Sequence, residues 1–217
     1  MHLLITSENR HMAKILQLTK PELAQGQLGG NPSTGGDLDW PKCRTCAGNM
    51  QFIAEVPLHL TDLTVFSYST EWLLLFQCQN NPGLCEEWDA KSGGNAALLS
   101  SSTTPLLVPA EGEVSSPAST PFDAVEYDER LTAETGNDDN YWASLIAHPG
   151  HYFGKLGGTP VWLQQDETPA CSCGAKMTFV IQIEEPAGGG MNFGGGGSAY
   201  GFVCAACKAQ ARFLWQC

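Results

Sequence analysis

Two stretches decide the fold: LGGNPSTGGDLDWPKCRTCAGNMQFIAEV, residues 28–56, and LGGTPVWLQQDETPACSCGAKMTFVIQI, residues 156–183. Leu-Gly-Gly-x-Pro opens both, at Leu28 and at Leu156, and a cysteine pair follows in both. Gly29 precedes Cys43 by 14 residues, and Gly157 precedes Cys171 by 14. Cys46 precedes Met50 by 4 residues, as Cys173 precedes Met177. Met-x-Phe comes next in each, then matched apolar runs over 53–56 and 180–183. Further on, residues 75–78 (LFQC) correspond to 201–204 (GFVC), and each stretch closes on a tryptophan, Trp88 and Trp215. So many uncommon residue types repeating at offsets of 126–128 mark an internal duplication.

Each copy reads alike locally. Gly-Gly-x-Pro is a turn, because glycine is free to take positive φ and proline fixes its own. The Met-x-Phe run and the run before the third cysteine are rich in Val, Ile and Phe, which predicts strands. Between them lies a variable loop, glycine-rich from Gly188 to Gly197 in the second copy. Met12, Ile15 and Leu16 behind a Ser7 cap predict a helix over 7–18. A second short helix is expected over 140–147. Residues 100–121, rich in Ser, Thr and Pro, read as a flexible linker. The expected fold is mostly β (β-rich α+β): two pseudo-repeats of a small twisted sheet, each with a four-cysteine zinc site, and few short helices. The first repeat spans 1–100, an acidic Ser/Pro-rich linker 101–140 and the second repeat 141–217, the two repeats being free to pack as one domain.

Nine cysteines are present. The first copy supplies Cys43, Cys46, Cys78 and Cys85; the second supplies Cys171, Cys173, Cys204 and Cys207; Cys217 is left as a terminal thiol. Two close pairs brought together by a sheet make a four-thiolate tetrahedron. Zinc suits it, because it binds thiolate strongly and has no d-electron geometry of its own to impose. The first pair is Cys-x-x-Cys in one copy and Cys-x-Cys in the other, where Gly174 relieves the tighter turn. The third and fourth ligands stand 7 apart in the first copy and 3 apart in the second. The second quartet is therefore expected to be the better zinc site and the first to be degenerate. Both metals are expected to be structural, since four thiolates leave no position for an activated water. Disulfides do not suit a reducing compartment. Two matched quartets are too many for incidental buried thiols, and no βαβ pattern surrounds Cys43 and Cys46 to make them a redox pair.

The formal net charge is −12, and residues 111–140 hold nine acids against the single base Arg130. Such a field argues against direct nucleic-acid binding and favours a basic protein partner, although a solvated connector carries the same composition. The longest apolar run, 72–76, is far short of the roughly 20 residues of a membrane span. The N-terminus, with Glu8 and Arg10, is too charged for a signal peptide. A cytoplasmic protein is expected, with no membrane partner.

Other motifs carry less. Gly194-x-Gly196-x-x-Ala199 matches a dinucleotide fingerprint only superficially, since β-type residues 200–203 follow where a helix is required. His148 and His151 stand in a turn with no acid or nucleophile in a recognisable pattern, and catalytic residues are expected to be absent. Glu55 and Gln182 hold equivalent places inside apolar runs, which calls for hydrogen bonds if they are buried and excludes paired carboxylates there. Of six tryptophans, most are expected beside the metal sites, with one or two free to anchor a partner.

The run from Lys155 to Leu163, then Cys171-x-Cys173-Gly-x-x-Met177-x-Phe179-x-x-Gln182-Ile183, then Gly201-Phe-Val-Cys204-x-x-Cys207, resembles the bacterial YwqG-like family and, more distantly, the eukaryotic programmed cell death protein 2 family. The similarity is clearest over about the last 70 residues and weaker over 28–90. Many YwqG-like proteins lack cysteines, so the metal reading rests on the spacing in this chain. The resemblance implies a mostly β fold with duplicated sheets and brings no catalytic residues. It implies a protein-binding role: an immunity protein that neutralises a cognate bacterial toxin, or an escort chaperone for a basic ribosomal protein. A metal-dependent enzyme with an open coordination position is the third reading.

Overall fold

The computed structural model describes residues 13–61, 63, 71–131, 138–188 and 190–217. Its strands are β1 (Ala13–Leu18), β2 (Gly26–Leu28), β3 (Gln51–Pro57), β4 (Trp72–Gln77), β5 (Asn95–Ser100), β6 (Thr120–Tyr127), β7 (Tyr152–Leu156), β8 (Thr178–Glu184), β9 (Ser198–Val203) and β10 (Ala211–Gln216). Among the described residues, one α-helix, α1 (Asp139–Ala147), and single 3-10 turns at Pro21–Leu23 and Leu58–Leu60 complete the elements. All strands join one antiparallel sheet in the order β10-β9-β8-β7-β1-β6-β2-β3-β4-β5. The edge strands β5 and β10 come back into contact, and the Trp215 amide donates to the Trp88 carbonyl at 3.3 Å. The sheet thus curls almost into a barrel, which shields edges that would otherwise invite aggregation.

The mostly β expectation holds, but the two halves build one continuous sheet, not two small ones. Alternation along β4 shows why the runs are apolar throughout. Leu73 and Leu75 face a central core with Ile53, Val56, Leu156 and Ile181. Leu74 and Phe76 face an outer cluster with Met50, Phe52 and the first cysteines. A sheet covered on both faces reads as an unbroken hydrophobic run.

Three expectations are corrected. Residues 13–18, expected to be helical, form β1, and the rest of that expected helix lies outside the described residues. β1 is paired on both sides, by β6 and β7, and buries Ala13, Ile15 and Leu16. A short apolar run satisfies a helical and a doubly buried strand pattern alike, and pairing decides between them. The expected linker 101–140 supplies β6, which lies mid-sheet between β1 and β2. Its earlier part is tied down too, with Leu106 buried and the Gly30 amide donating to the Pro117 carbonyl at 2.8 Å. The closing tryptophans are not equivalent: Trp88 precedes β5 whereas Trp215 lies inside β10, and they meet edge to face at 6.1 Å. The helix expected over 140–147 does form, and Asp138 caps it by accepting from the Asn140 amide at 3.2 Å.

The repeated motifs make repeated contacts. The amides of Gly29 and Gly157 donate to the carbonyls of Ile53 and Val180, each at 2.8 Å. Both β3 and β8 bulge, between Phe52 and Ala54 and between Phe179 and Ile181. Gly26 and Gly154 each lie against the backbone of the next strand, at Glu55 and Gln182 respectively. A Cβ on Gly26 would sit 2.7 Å from the Glu55 carbonyl oxygen and 2.4 Å from Cζ at the edge of the buried Phe122 ring. Gly26→Ala is therefore expected to cost about 1–3 kcal/mol, read as a lower urea midpoint with unchanged slope.

Candidate metal centres

Strand ends and tight turns bring each cysteine quartet together. Cys43 and Cys46 sit in a turn closed by the Ala47 amide on the Cys43 carbonyl (2.8 Å) and the Cys43 amide on the Gly48 carbonyl (2.9 Å). Cys78 follows β4, and Cys85 returns to it over a six-residue loop. In the other quartet, Cys171 and Cys173 precede β8, and Cys204 and Cys207 occupy the turn after β9. All four ligand atoms of each quartet lie within 4.8 Å of one another. Cys46 to Cys78, Cys171 to Cys207 and Cys173 to Cys204 are each 3.6 Å, sulfur to sulfur. A disulfide needs about 2.05 Å, whereas a tetrahedral ion with metal–sulfur bonds of about 2.3 Å puts its sulfurs about 3.8 Å apart. The cysteines are free thiols, and both quartets have the size of a metal cage.

The wide spacing from Cys78 to Cys85 does not keep the first quartet apart. That quartet is the more enclosed one, with Cys43, Cys78 and Cys85 buried; in the second, Cys173 and Cys207 are exposed. Each quartet packs on its own outer aromatic cluster. Trp40 meets Phe76 at 5.3 Å, and its Nε1 donates to the Met50 carbonyl at 2.8 Å. Trp162 lies on Tyr200 at 4.5 Å and Phe202 at 6.0 Å. Folding the aromatic cluster therefore folds the cage.

Backbone strain gathers at these turns. Among the described residues, the non-glycine residues with positive φ are Ala47 (59°), Glu86 (51°) and Lys208 (56°), and each directly follows a cysteine of a quartet. Gly174, with φ 90°, directly follows Cys173. Left-handed residues cost about 1–2 kcal/mol each and persist where surrounding structure dictates them. A Cβ on Gly174 would meet nothing within 4 Å. Gly174→Ala is thus a purely conformational test: it is expected to cost about 1–2 kcal/mol in chemical denaturation, although no atom clashes.

The turns also tune the thiols. The Gly48 amide, foremost, brings Cys46 down to about 7, and the Cys207 amide, foremost, brings Cys204 down to about 6. Burial, foremost, pushes Cys78 and Cys85 up. Each quartet therefore offers one thiolate near neutral pH as a first ligand, and a bound cation would draw the protons from the rest. Asn80 Nδ2 lies 3.5 Å from the sulfurs of both Cys46 and Cys78, which neutralises part of their charge.

The equivalent polar residues Glu55 and Gln182 are buried and fully engaged. Glu55 accepts from the Ser33 amide at 2.7 Å and from the amide and hydroxyl of Thr34 at 3.0 Å. Gln182 accepts from the Val161 amide at 2.8 Å and donates to the Val161 carbonyl at 3.2 Å. Both fasten the segment that follows Gly-Gly-x-Pro, which is a structural use. His148 closes α1 through its amide on the Ser144 carbonyl (3.2 Å) and meets Tyr152 edge to face at 4.9 Å.

Sequence reasoning missed Lys155. It is fully buried and paired with Glu129 and, at 3.3 Å, with Asp138, between the rings of Tyr127 and Tyr141 at 5.6 and 5.5 Å. Two of the nine acids in the supposed solvated connector are thus interior partners. The signal was a lysine flanked by strand residues, one residue before Leu-Gly-Gly, where the first half of the chain has Gln27. No described helix is long and apolar enough to cross a membrane. Comparison with known protein families finds no match for this chain, and none of the curated proteins matches it.

Proposed function

We propose that this chain is a non-enzymatic, zinc-stabilised protein-binding module that arose by duplication of one unit. The observation that carries this reading is the pair of four-thiolate cages. Every corner of each tetrahedron is a cysteine of this chain, so a zinc ion held there has no position for water or substrate. The zinc ions would hold the cysteine turns against the outer aromatic clusters, and the work falls to the surfaces so positioned. Support for duplication comes from the matched turns, bulges and hydrogen bonds of the two halves. The acidic balance, 23 Asp and Glu against 11 Lys and Arg, favours a basic protein partner. With the resemblance to YwqG-like proteins, the most specific form of the proposal is an immunity protein that binds and neutralises a bacterial toxin.

Affinity capture of the tagged chain from its native host, with metal analysis of the same sample, tests the proposal. The expected result is about two zinc ions per chain and a stoichiometric basic partner whose toxicity coexpression relieves. A ribosomal protein recovered from every growing culture would favour the escort role instead. A purified chain that holds no zinc and ignores chelators would defeat the metal reading.

A further inference from the structure

α1 stands off from the ends of β1, β6, β7 and β8 and leaves an open cavity of about 650 Å³. The volume falls within the roughly 300–1,000 Å³ of sites that enclose a ligand. Its walls include Leu18, Trp142, Ile146, Phe153, Pro186 and Met191. Only Tyr141 of α1 is buried in the fold; its hydroxyl donates to Glu184. The helix turns its other large apolar residues to the opening, and Ile146 is 78% exposed, Leu18 47% and Trp142 36%. A short helix that leaves its apolar face bare beside a cavity marks a surface meant to be covered.

The surround is acidic. Glu184 and Glu185 line the wall, Glu184 accepting from Tyr141, Gln182 and Ser198 and Glu185 from the amides of Phe193, Gly195 and Gly196 through one oxygen, and among the described residues no lysine or arginine lines it. Asp139 stands in the first turn of α1, and its last turn carries no base. Lys20, two residues past Leu18, is the nearest base along that strand's exit. A small apolar molecule seated in the cavity would leave the rim residue Ile146 bare, whereas a peptide segment extends over it.

We infer that this groove docks a basic amphipathic segment of a partner protein, with apolar side chains in the cavity and flanking lysines or arginines against the acidic surround. The inference rests on the protein-binding reading and names its surface. The test is fluorescence anisotropy on the full metal-loaded chain. The probe is a labelled amphipathic peptide of about five helical turns, with leucines on one face and lysines and arginines on the other. A twin with glutamates in place of the bases is the control. The basic peptide is expected to bind, to weaken with rising salt, and to lose about tenfold or more on Ile146→Lys; the acidic twin is expected not to bind. Ile146 is so exposed that the variant should keep its fold, and Leu18→Lys gives an independent second variant. Equal binding by the acidic twin, or full binding by both variants, would overturn the inference. A captured native partner that still binds both variants would overturn it while leaving the protein-binding reading intact. Selective peptide binding in a chain that captures no partner would uphold the groove and defeat that reading.

Discussion

Chelation is expected to unload the proposed zinc ions in order, the second quartet before the first, and to unfold the chain. The order follows from exposure. Cys173 and Cys207 face solvent, so a chelator can take up one corner of the second cage while the others still hold. Cys43, Cys78 and Cys85 are buried, and the first cage must open before a chelator reaches its metal. The magnitude follows from linkage. A structural zinc contributes on the order of 10–16 kcal/mol of apparent binding free energy at neutral pH, against a net domain stability of about 5–15 kcal/mol. Without the metal, the left-handed residues Ala47, Glu86 and Lys208 lose what enforces them. The buried thiols of the first quartet then keep only weak partners, such as Asn80 on Cys78. Metal content against chelation time should show two phases. Near-ultraviolet circular dichroism should lose the Trp162 environment in the first and the Trp40 environment in the second. Simultaneous release, or a chelated chain with an unchanged melting temperature, would defeat this account.

Acid should act through the same sites. Metal-bound thiolates have to be protonated for release, so stability attributable to the metals falls as pH falls. Cys217 lies outside both quartets and is exposed. Cys217→Ser should therefore change stability by less than about 0.5 kcal/mol, which separates cage chemistry from the mere loss of a thiol.

The cages were legible in the sequence because metal ligation constrains residue type and spacing at once. The Gly-Gly-x-Pro frame at Leu28 and Leu156 located each half, and Cys43 and Cys171 stand at the same distance from it. The continuity of the sheet was not legible. β1 is held by partners more than 100 residues away in β6 and β7, and local periodicity carries no trace of them. β6 was hidden by composition: Asp123 and Glu126 made the segment read as solvated, although Phe122 in the same strand is wholly buried in the central core. The charge count misled for a related reason. It treats every acid as facing water, and Glu129 and Asp138 face a lysine instead.

That lysine carries the second large expectation. Lys155→Met should cost about 3–5 kcal/mol, because it leaves two buried carboxylates without their cation. Both acids are held in place by backbone and cannot turn outward freely. Glu129 accepts from the Thr159 amide at 2.8 Å, and Asp138 from the Arg130 amide at 2.9 Å while it caps α1. The damage should spread to α1 and to the turn at Gly158, whose Cα carries no side chain in order to admit the Glu129 carboxylate. The loss is a broken network more than a lost attraction. Combining Lys155→Met with Glu129→Gln and Asp138→Asn should therefore recover most of it, with strong non-additivity. Asn at 138 keeps an acceptor for the cap. The first half shows that a neutral solution exists, since Gln27, at the matching place in β2, bonds the Asn31 carbonyl at 2.6 Å and accepts from Ser119. Urea denaturation of the single and triple variants measures the difference. A single variant that loses less than about 1 kcal/mol, or a triple variant no more stable than the single, would show that water reaches these carboxylates and that the pair contributes no more than a surface ion pair does.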